Sequence, residues 1–518
     1  MFLLIILPAL FITYLFIRQL KIYKSLKDGG LNPQFDVFGI KGLSWLDNSE
    51  SHENFTKLCK DVDSKTFSLL KGAVPVVVTS DVDLIHSIST EHYDCFHSRI
   101  PEILADDPVS SENVHMFAAK GERWKRLRTI TSYGLSSVKL KLMFPTIEKC
   151  VNEFLDHVSS LSTNDRIVIK HSHSLFQNHT SFVLVQCAYG NKESGHKNNN
   201  FVNNFSNAFG AFADFQLSAL EKVSYVLPEL KFVFKNPIFD KIYYNANRQK
   251  FLNYLLSLIK NFVATRSSDE NDQYSLLGYF YQHNNNNEKN YEKSSGRIDM
   301  KKVKVEKIIT SQEIAAQCKF ISIAGFDTTA NTLTLLFNFL ARNPEIQNVL
   351  YEKEILGQLE PINFDTLASL TFLQNCIFET LRLFPHASPL QHRVCTDRCI
   401  IGKYEFLEDF QVIVNPWGPH RDKNIWGDDA DCFRPSRFDN LSEAQKRAFM
   451  PFGVGPRQCV GMRFALLELK LTAFRLLQKY IVDYDVNDKN GELVQMTVRD
   501  TGTIWPTDKL GLILTQRQ

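Results

Sequence analysis

The 518-residue chain has no C-x-x-C pair and no compact cysteine framework; its ten cysteines lie scattered from Cys59 to Cys459. This excludes a disulfide-stapled scaffold and fits thiols kept reduced on the cytosolic side of a cell. Cys395 and Cys399 stand four apart with no second pair at zinc-finger spacing, so they read as ordinary thiols. Charge of one sign is lacking too. Lys and Arg number 59 against 57 Asp and Glu, a net +2, and no basic tract is interleaved with aromatics. No nucleic acid partner is expected. There is no glycine-rich dinucleotide fingerprint and no flavin motif, so any electrons the chain uses must come from outside. Internal repeats are absent as well. With 44% hydrophobic residues, what remains is a globular protein able to bury a large core.

The amino terminus carries the longest apolar run. No charge interrupts Phe2 to Ile17, and those 16 residues cover about 24 Å as helix, slightly short of a hydrocarbon core of about 30 Å. Arg18 can snorkel and Leu20 can extend the span. Arg18, Lys21, Lys24 and Lys27 follow the run, and no A-x-A site comes after it, the reverse of a cleaved signal peptide. The expectation is a retained transmembrane signal anchor over 1–20, a linker over 21–45, and a single domain over 46–518 on the cytoplasmic side.

Within that domain the periodicity is mostly helical, as in residues 251–263 and 474–482. Short β-rich pieces such as VPVVVTS (74–80) and FQVIVNP (410–416) are bounded by turn residues. The fold class is mainly α with a small β region. Two asparagine-rich stretches, Asn191–Asn204 and Ser267–Arg297, read as long surface loops. The strongest helix signal begins with a capping box, Thr310 and Glu313, and ends at Asn343 before Pro344. About 31 residues then span roughly 47 Å, enough to cross a whole domain, and the segment is apolar nearly all round. Inside it AGFDTT (324–329) breaks the pattern with a glycine, a carboxylate and two hydroxyls.

The stretch PFGVGPRQCVGMRFALLELK (451–470) sets Cys459 in a glycine- and proline-stiffened turn just ahead of a helix. A thiolate is stabilised there by backbone N–H groups and by the positive helix end. A buried structural cysteine, packing as a small hydrophobe, needs no such loop.

Phe452, Gly455, Arg457, Cys459 and Gly461 together resemble the cysteine-ligand loop of the cytochrome P450 family, the haem-thiolate monooxygenases. The resemblance extends along the chain. Trp124-Lys125-Arg126-Leu127-Arg128 is similar to the family's W-x-x-x-R, and Ala324–Thr329 to its oxygen-activation motif. Glu379-Thr380-Leu381-Arg382 resembles its E-x-x-R and Phe433–Phe438 its P-x-R-F segment. Each motif is weak alone; all five in order make a strong signal.

The resemblance implies a P450 fold behind one amino-terminal transmembrane helix, and haem b (iron protoporphyrin IX) as cofactor. Cys459 is then the axial ligand of the haem iron, donating electron density to it. Phe452 packs near the sulfur, and Gly461 lets a flat group approach. Arg457, Trp124, Arg128 and Arg393 serve the haem propionates. Asp327 and Thr328 form an acid–alcohol pair for proton delivery, with Gly325 leaving room beside them. Glu379, Arg382 and Arg437 form a buried structural triad behind the Cys459 loop. The substrate pocket is expected at Phe320, Ile323, Ala324 and Thr328, with Ala387–Leu390 and the turn at Gly502–Ile504.

Implied partners are O2, a small apolar substrate, membrane lipid and NADPH-cytochrome P450 reductase, with the protein in the endoplasmic reticulum membrane. Helical geometry turns Arg126 about 200° from Trp124, so it is expected outward, where with Lys125, Lys446 and Arg447 it reads either as a basic docking patch or as ordinary solvated charge. The hinge departs from the family pattern, because only Pro33 lies between residues 28 and 45. The competing readings are a haem-thiolate isomerase or dehydratase and a non-catalytic haem-binding protein. Neither needs the Asp327–Thr328 pair.

Overall fold

The computed structural model describes residues 2–34, 39, 57–62, 64–100, 106–162, 166–190, 219–230, 257, 274–284, 299, 301–358, 361–484, 496–498, 503–506 and 510–517. The asparagine-rich stretch 191–204, nearly all of 267–297 and of the run 251–263, and Gly502 lie outside the described residues.

Seven helices organise the molecule: α1 (Phe2–Asp28), α2 (Gly121–Gly134), α3 (Ser137–Ser159), α4 (Ser172–Tyr189), α5 (Ser311–Arg342), α6 (Thr371–Leu383) and α7 (Met462–Lys479). α5 is the axis. Its capping box forms as the sequence dictates, with the Thr310 hydroxyl taking the Glu313 N–H and the Glu313 carboxylate taking the Thr310 N–H. It stops at Asn343, since the following Pro344 starts a separate helix at Pro344–Leu350. Ile314, Phe326, Leu333, Leu336 and Leu340 on α5 are buried with Leu127 of α2, Ile147 of α3, Phe182 of α4, Ile377 of α6 and Phe474 of α7 in one main core. α4 crosses α5 at Gly325, where an added Cβ would meet Leu184 Cδ1 at 2.6 Å. The glycine therefore serves helix–helix approach as well as the space beside it.

The sheets are small. β1 (Thr66–Lys71), β2 (Val74–Thr79), β4 (His392–Val394) and β7 (Gln411–Val414) make a four-stranded sheet in the order β1-β2-β7-β4, with β2 and β7 parallel and the other pairs antiparallel. β3 (Arg166–Ile169), β8 (Tyr480–Tyr484) and β11 (Leu512–Gln516) form a second sheet with β11 in the middle. β5 (Cys399–Ile401) pairs β6 (Tyr404–Phe406), and β9 (Met496–Val498) pairs β10 (Ile504–Pro506). Cys395 and Cys399 are buried in a second apolar cluster with Phe96, Phe406 and Val412, as ordinary core thiols.

Among the described residues no helix is long and apolar enough to cross a membrane. α1 runs past residue 20 into the stretch read as linker, because its end is packed: Leu26, and Leu31 just beyond the helix, bury against Leu70, Val77 and Phe96. Gln19 Nε2 donates to Gly72 O at 2.9 Å, and Arg18 pairs Glu229 at 2.6 Å. Leu10, Phe11, Ile12, Tyr14 and Ile17 on the same helix stay exposed.

Candidate active site

Cys459 lies at the mouth of α7, in a loop closed by its own N–H donating to Phe452 O at 2.8 Å. Gly453 and Gly455 both have positive φ, +76° and +75°, and an added Cβ at Gly455 would come within 2.0 Å of Ser89 O. No other residue type fits that turn. Around Gly461 an added Cβ meets nothing within 4 Å, which leaves open space beside the cysteine. Burial pushes the Cys459 thiol up; the Gly461 N–H, the Arg128 and Arg99 guanidinium groups and the Met462 N–H pull it down. By contrast Cys318, inside α5, is pushed up to about 12 by burial alone. At the helix mouth the N–H groups and guanidinium charges oppose the effect of burial, which nothing opposes at Cys318.

Behind the loop, Glu379 and Arg382 of α6 form a bidentate pair at 2.7 and 2.9 Å, and Arg437 Nε reaches Glu379 Oε1 at 2.8 Å. All three are buried. His420, a residue the motif reading missed, links this triad to the loop. Its Nδ1 donates to Arg382 O at 3.1 Å and its Nε2 accepts the Met450 N–H at 3.0 Å, one residue before Pro451. Those two partners assign the tautomer. Burial lowers the His420 pKa to about 3, so the ring stays neutral.

A cavity of about 250 Å3 separates the loop from α5. Cys459 is exposed to it, and Phe452, Gly461, Trp124, Arg128, Arg393 and Arg457 all line it. A fourth arginine, Arg99, lines it too and was not singled out from the sequence, since a lone arginine after an irregular segment carries no pattern. These guanidinium groups hold the loop by its carbonyls: Arg128 on Gln458 at 2.7 Å, Arg99 on Arg457 at 3.2 Å and Arg393 on Val454 at 3.5 Å. Arg457 itself points to the carbonyls of His97, Phe117 and Ala119 at 3.0 Å or less and sits 4.4 Å from the Trp124 ring.

None of the four arginines has a carboxylate partner among the described residues, and the Nε atoms of Arg99 and Arg393 are buried without a hydrogen bond. Burial, then the neighbouring Arg457 charge, lowers Arg393 to about 10. A guanidinium does not surrender its proton in a protein, so such a cluster calls for an anionic guest. A flat apolar group bearing two carboxylates suits both the arginines and the apolar walls, and the haem b propionates are that chemistry.

On the opposite wall α5 presents Phe320, Ala324, Thr328 and Thr332, an i, i+4 stripe. Ile323 is off that stripe and Ile321 lines the cavity in its place, correcting the expected pocket. Ala387 and Leu390 line it as expected. Thr503 and Ile504 do not: Ile504 packs on Leu335 and Leu510, and the Thr503 hydroxyl donates to Asp327 Oδ2. The Thr328 hydroxyl donates to Ala324 O at 2.8 Å, and Thr328 lines the cavity. Asp327 is fully buried on the other side of α5, with Gln177 and Asn331 amides each 3.4 Å from its carboxylate.

Arg126 corrects an expectation. It is buried, not outward, and with Arg123 it clasps the Glu313 carboxylate at the start of α5. α2 is covered on that flank by the amino-terminal turn of α5, which helical angles alone could not reveal. Lys125 is half-buried and donates to Val303 O; Lys446 and Arg447 are exposed but paired with Glu443 and Asp83.

A cysteine at a helix mouth, facing an apolar cavity rimmed by arginines in a mainly helical fold, defines a haem-thiolate protein. The profile of the family described as Cytochrome P450 matches residues 35–505. The Caenorhabditis elegans protein named cytochrome P450 CYP13A8 is 30% identical over 90% of this chain and 91% of its own. CYP13A10 and CYP13A1 of the same organism are 29% and 28% identical, over 85% and 86% of this chain and 86% of each of their own. The chain belongs to the cytochrome P450 family. It is a haem-thiolate monooxygenase, an oxidoreductase with haem b as cofactor that works with O2, an organic substrate and a redox partner.

Proposed function

We propose that the chain is a membrane-bound monooxygenase, on the endoplasmic reticulum with its catalytic domain in the cytosol, that acts on small apolar substrates with electrons from NADPH through a separate diflavin reductase. The observation that carries the substrate class is the cavity wall, where Phe320, Ile321, Ala324 and Leu184 face Cys459 with few polar atoms among them. The lack of any flavin or dinucleotide fingerprint supports an external reductase. The uncharged run Phe2–Ile17, with Leu10, Phe11, Tyr14 and Ile17 exposed, supports a lipid surface as neighbour.

When bound, haem supplies the chemistry that puts one atom of O2 into the substrate and reduces the other to water. Cys459 offers the thiolate ligand, with the Gly461 and Met462 N–H groups stabilising its charge. Phe452 and Gly461 shape the face against which the flat group lies. Arg393, Arg128 and Arg99 would take the carboxylates, and Arg457 with Trp124 would stiffen that rim. Asp327 stores a proton behind α5 and the cavity-facing Thr328 hydroxyl passes one in. Glu379, Arg382 and Arg437 keep the loop in shape.

Two measurements test this reading. The reduced, carbon monoxide-bound spectrum is to show the thiolate band in the native chain and lose it in Cys459→Ser. NADPH oxidation with purified reductase is to rise on adding apolar compounds. A Cys459→Ser protein with an unchanged spectrum removes the thiolate, and oxidation indifferent to every apolar compound removes the substrate class.

A further inference from the structure

Behind α5, away from the cavity, the two oxygens of the Asp327 carboxylate meet different neighbours. Oδ2 takes two donors, the Asn331 amide at 3.4 Å and the Thr503 hydroxyl. Oδ1 faces α4, where it meets the Gln177 amide at 3.4 Å and the His173 Nε2 at 3.9 Å. His173 and Gln177 stand four apart on one face of that helix. His173 is an ionisable group 3.9 Å from the Asp327 carboxylate, while Asn331 of α5 and Thr503, just before β10, are neutral contacts of it. The Asp327 side chain shows no surface, whereas that of His173 is 14% exposed. The imidazole thus bridges solvent and a buried carboxylate.

We propose that His173 is the proton station through which Asp327 is recharged from bulk water. This rests on the reading of Asp327 and Thr328 as the proton-delivering pair, and extends it outward. In the step, the Nε2–H bond of the imidazolium breaks and an O–H bond forms at Oδ1, leaving both groups neutral. Water at the exposed edge of the ring then returns a proton to His173. The gap of 3.9 Å is too long for a hydrogen bond, and a movement of about 1 Å brings it to the usual 2.7–3.2 Å. Thr503 and Asn331 hold Oδ2, and Oδ1 is the oxygen that faces His173, so Oδ1 is the one that accepts. Gln177 positions that oxygen and carries no proton itself.

The test uses the haem-loaded full chain in two variants, His173→Gln and Asp327→Asn, each checked for an intact reduced carbon monoxide spectrum. Nuclear magnetic resonance of labelled histidine in the carbon monoxide complex reads the His173 titration without turnover. Its midpoint is to move to lower pH in Asp327→Asn, because the carboxylate that favours the imidazolium is gone. In turnover with reductase, His173→Gln is to divert electrons from product to hydrogen peroxide, with about a tenfold or greater loss of product per NADPH, and to abolish the dependence of that yield on pH across the His173 midpoint. An unchanged midpoint in Asp327→Asn overturns the proposal, as does a His173→Gln enzyme with native yield and pH profile. If Asp327→Asn loses product while His173→Gln does not, the inference falls and the acid–alcohol reading stands. If Asp327→Asn keeps full yield, the acid–alcohol reading falls and takes the inference with it.

Discussion

Arg437 Nε lies 2.8 Å from Glu379 Oε1 across 58 residues of sequence, and both side chains are buried. The same oxygen accepts the Arg434 N–H and an Arg382 N–H, each at 2.9 Å. One carboxylate oxygen therefore gathers α6 and the P-x-R-F segment into a single unit. Removing it leaves the Arg382 guanidinium buried without a carboxylate among the described residues, and leaves Arg437 the longer contact to Asp429 at 3.4 Å.

Glu379→Ala is expected to lose about 3–5 kcal/mol of stability and to be recovered with little haem. Haem per polypeptide, read from the reduced carbon monoxide spectrum, and the unfolding midpoint both check this. A variant with native haem content contradicts the structural role.

Acid is expected to loosen the same region through its neutral histidines. Burial lowers His420 to about 3 and His386 to about 4, from an ordinary 6.5. Both folded values are depressed, so the stability they contribute is complete above the unfolded value and is lost as pH falls toward the folded one. Each steepens the loss by up to about 1.4 kcal/mol per pH unit in that window. His420→Phe, which cannot accept the Met450 N–H, is expected to be less stable at neutral pH yet to show a shallower acid slope. Chemical denaturation from neutral pH down to about 4 measures both.

Arg393→Met is expected to act with opposite sign on the two forms of the protein. Arg393 is buried beside Arg457, with its Nε unpartnered. Without the cofactor, removing that charge relieves repulsion and raises the unfolding midpoint. With haem bound it removes a partner of a carboxylate, so haem dissociates faster and the midpoint falls. Differential scanning of both forms decides it; a shift of the same sign in both rules out carboxylate recognition at this position.

Arg126→Ala is expected to destabilise the chain by about 3–5 kcal/mol, since it strips a buried partner from Glu313. The affinity for a reductase and its salt dependence are expected to change little, because Arg126 presents almost no surface. Conversely, Arg447→Ala leaves stability within about 0.5 kcal/mol. Titration with reductase at two salt concentrations, beside a melting curve, separates the two effects.

Much of the site was legible in the chain because its parts are local. The Cys459 loop is a turn that only glycine can make at 455 and that favours glycine at 453, and the α7 mouth follows it directly. Glu379 and Arg382 share a helix face by spacing alone, and the capping box and Pro344 mark the ends of α5. Residues whose partners lie far along the chain were not legible. Arg99 joins the arginine rim, His420 ties Arg382 to Met450, and Thr503 turns to Asp327.

The sequence by itself determined which residue is the thiolate, which helix crosses the domain and which carboxylate anchors the triad, because short-range backbone geometry and helical spacing decide these. Only the tertiary structure decided that Arg126 turns inward to Glu313, that four arginines share one rim with no carboxylate partner among the described residues, and that His173 faces Asp327. Each of those depends on which second element covers a helix face, and no periodicity within one segment encodes its neighbour.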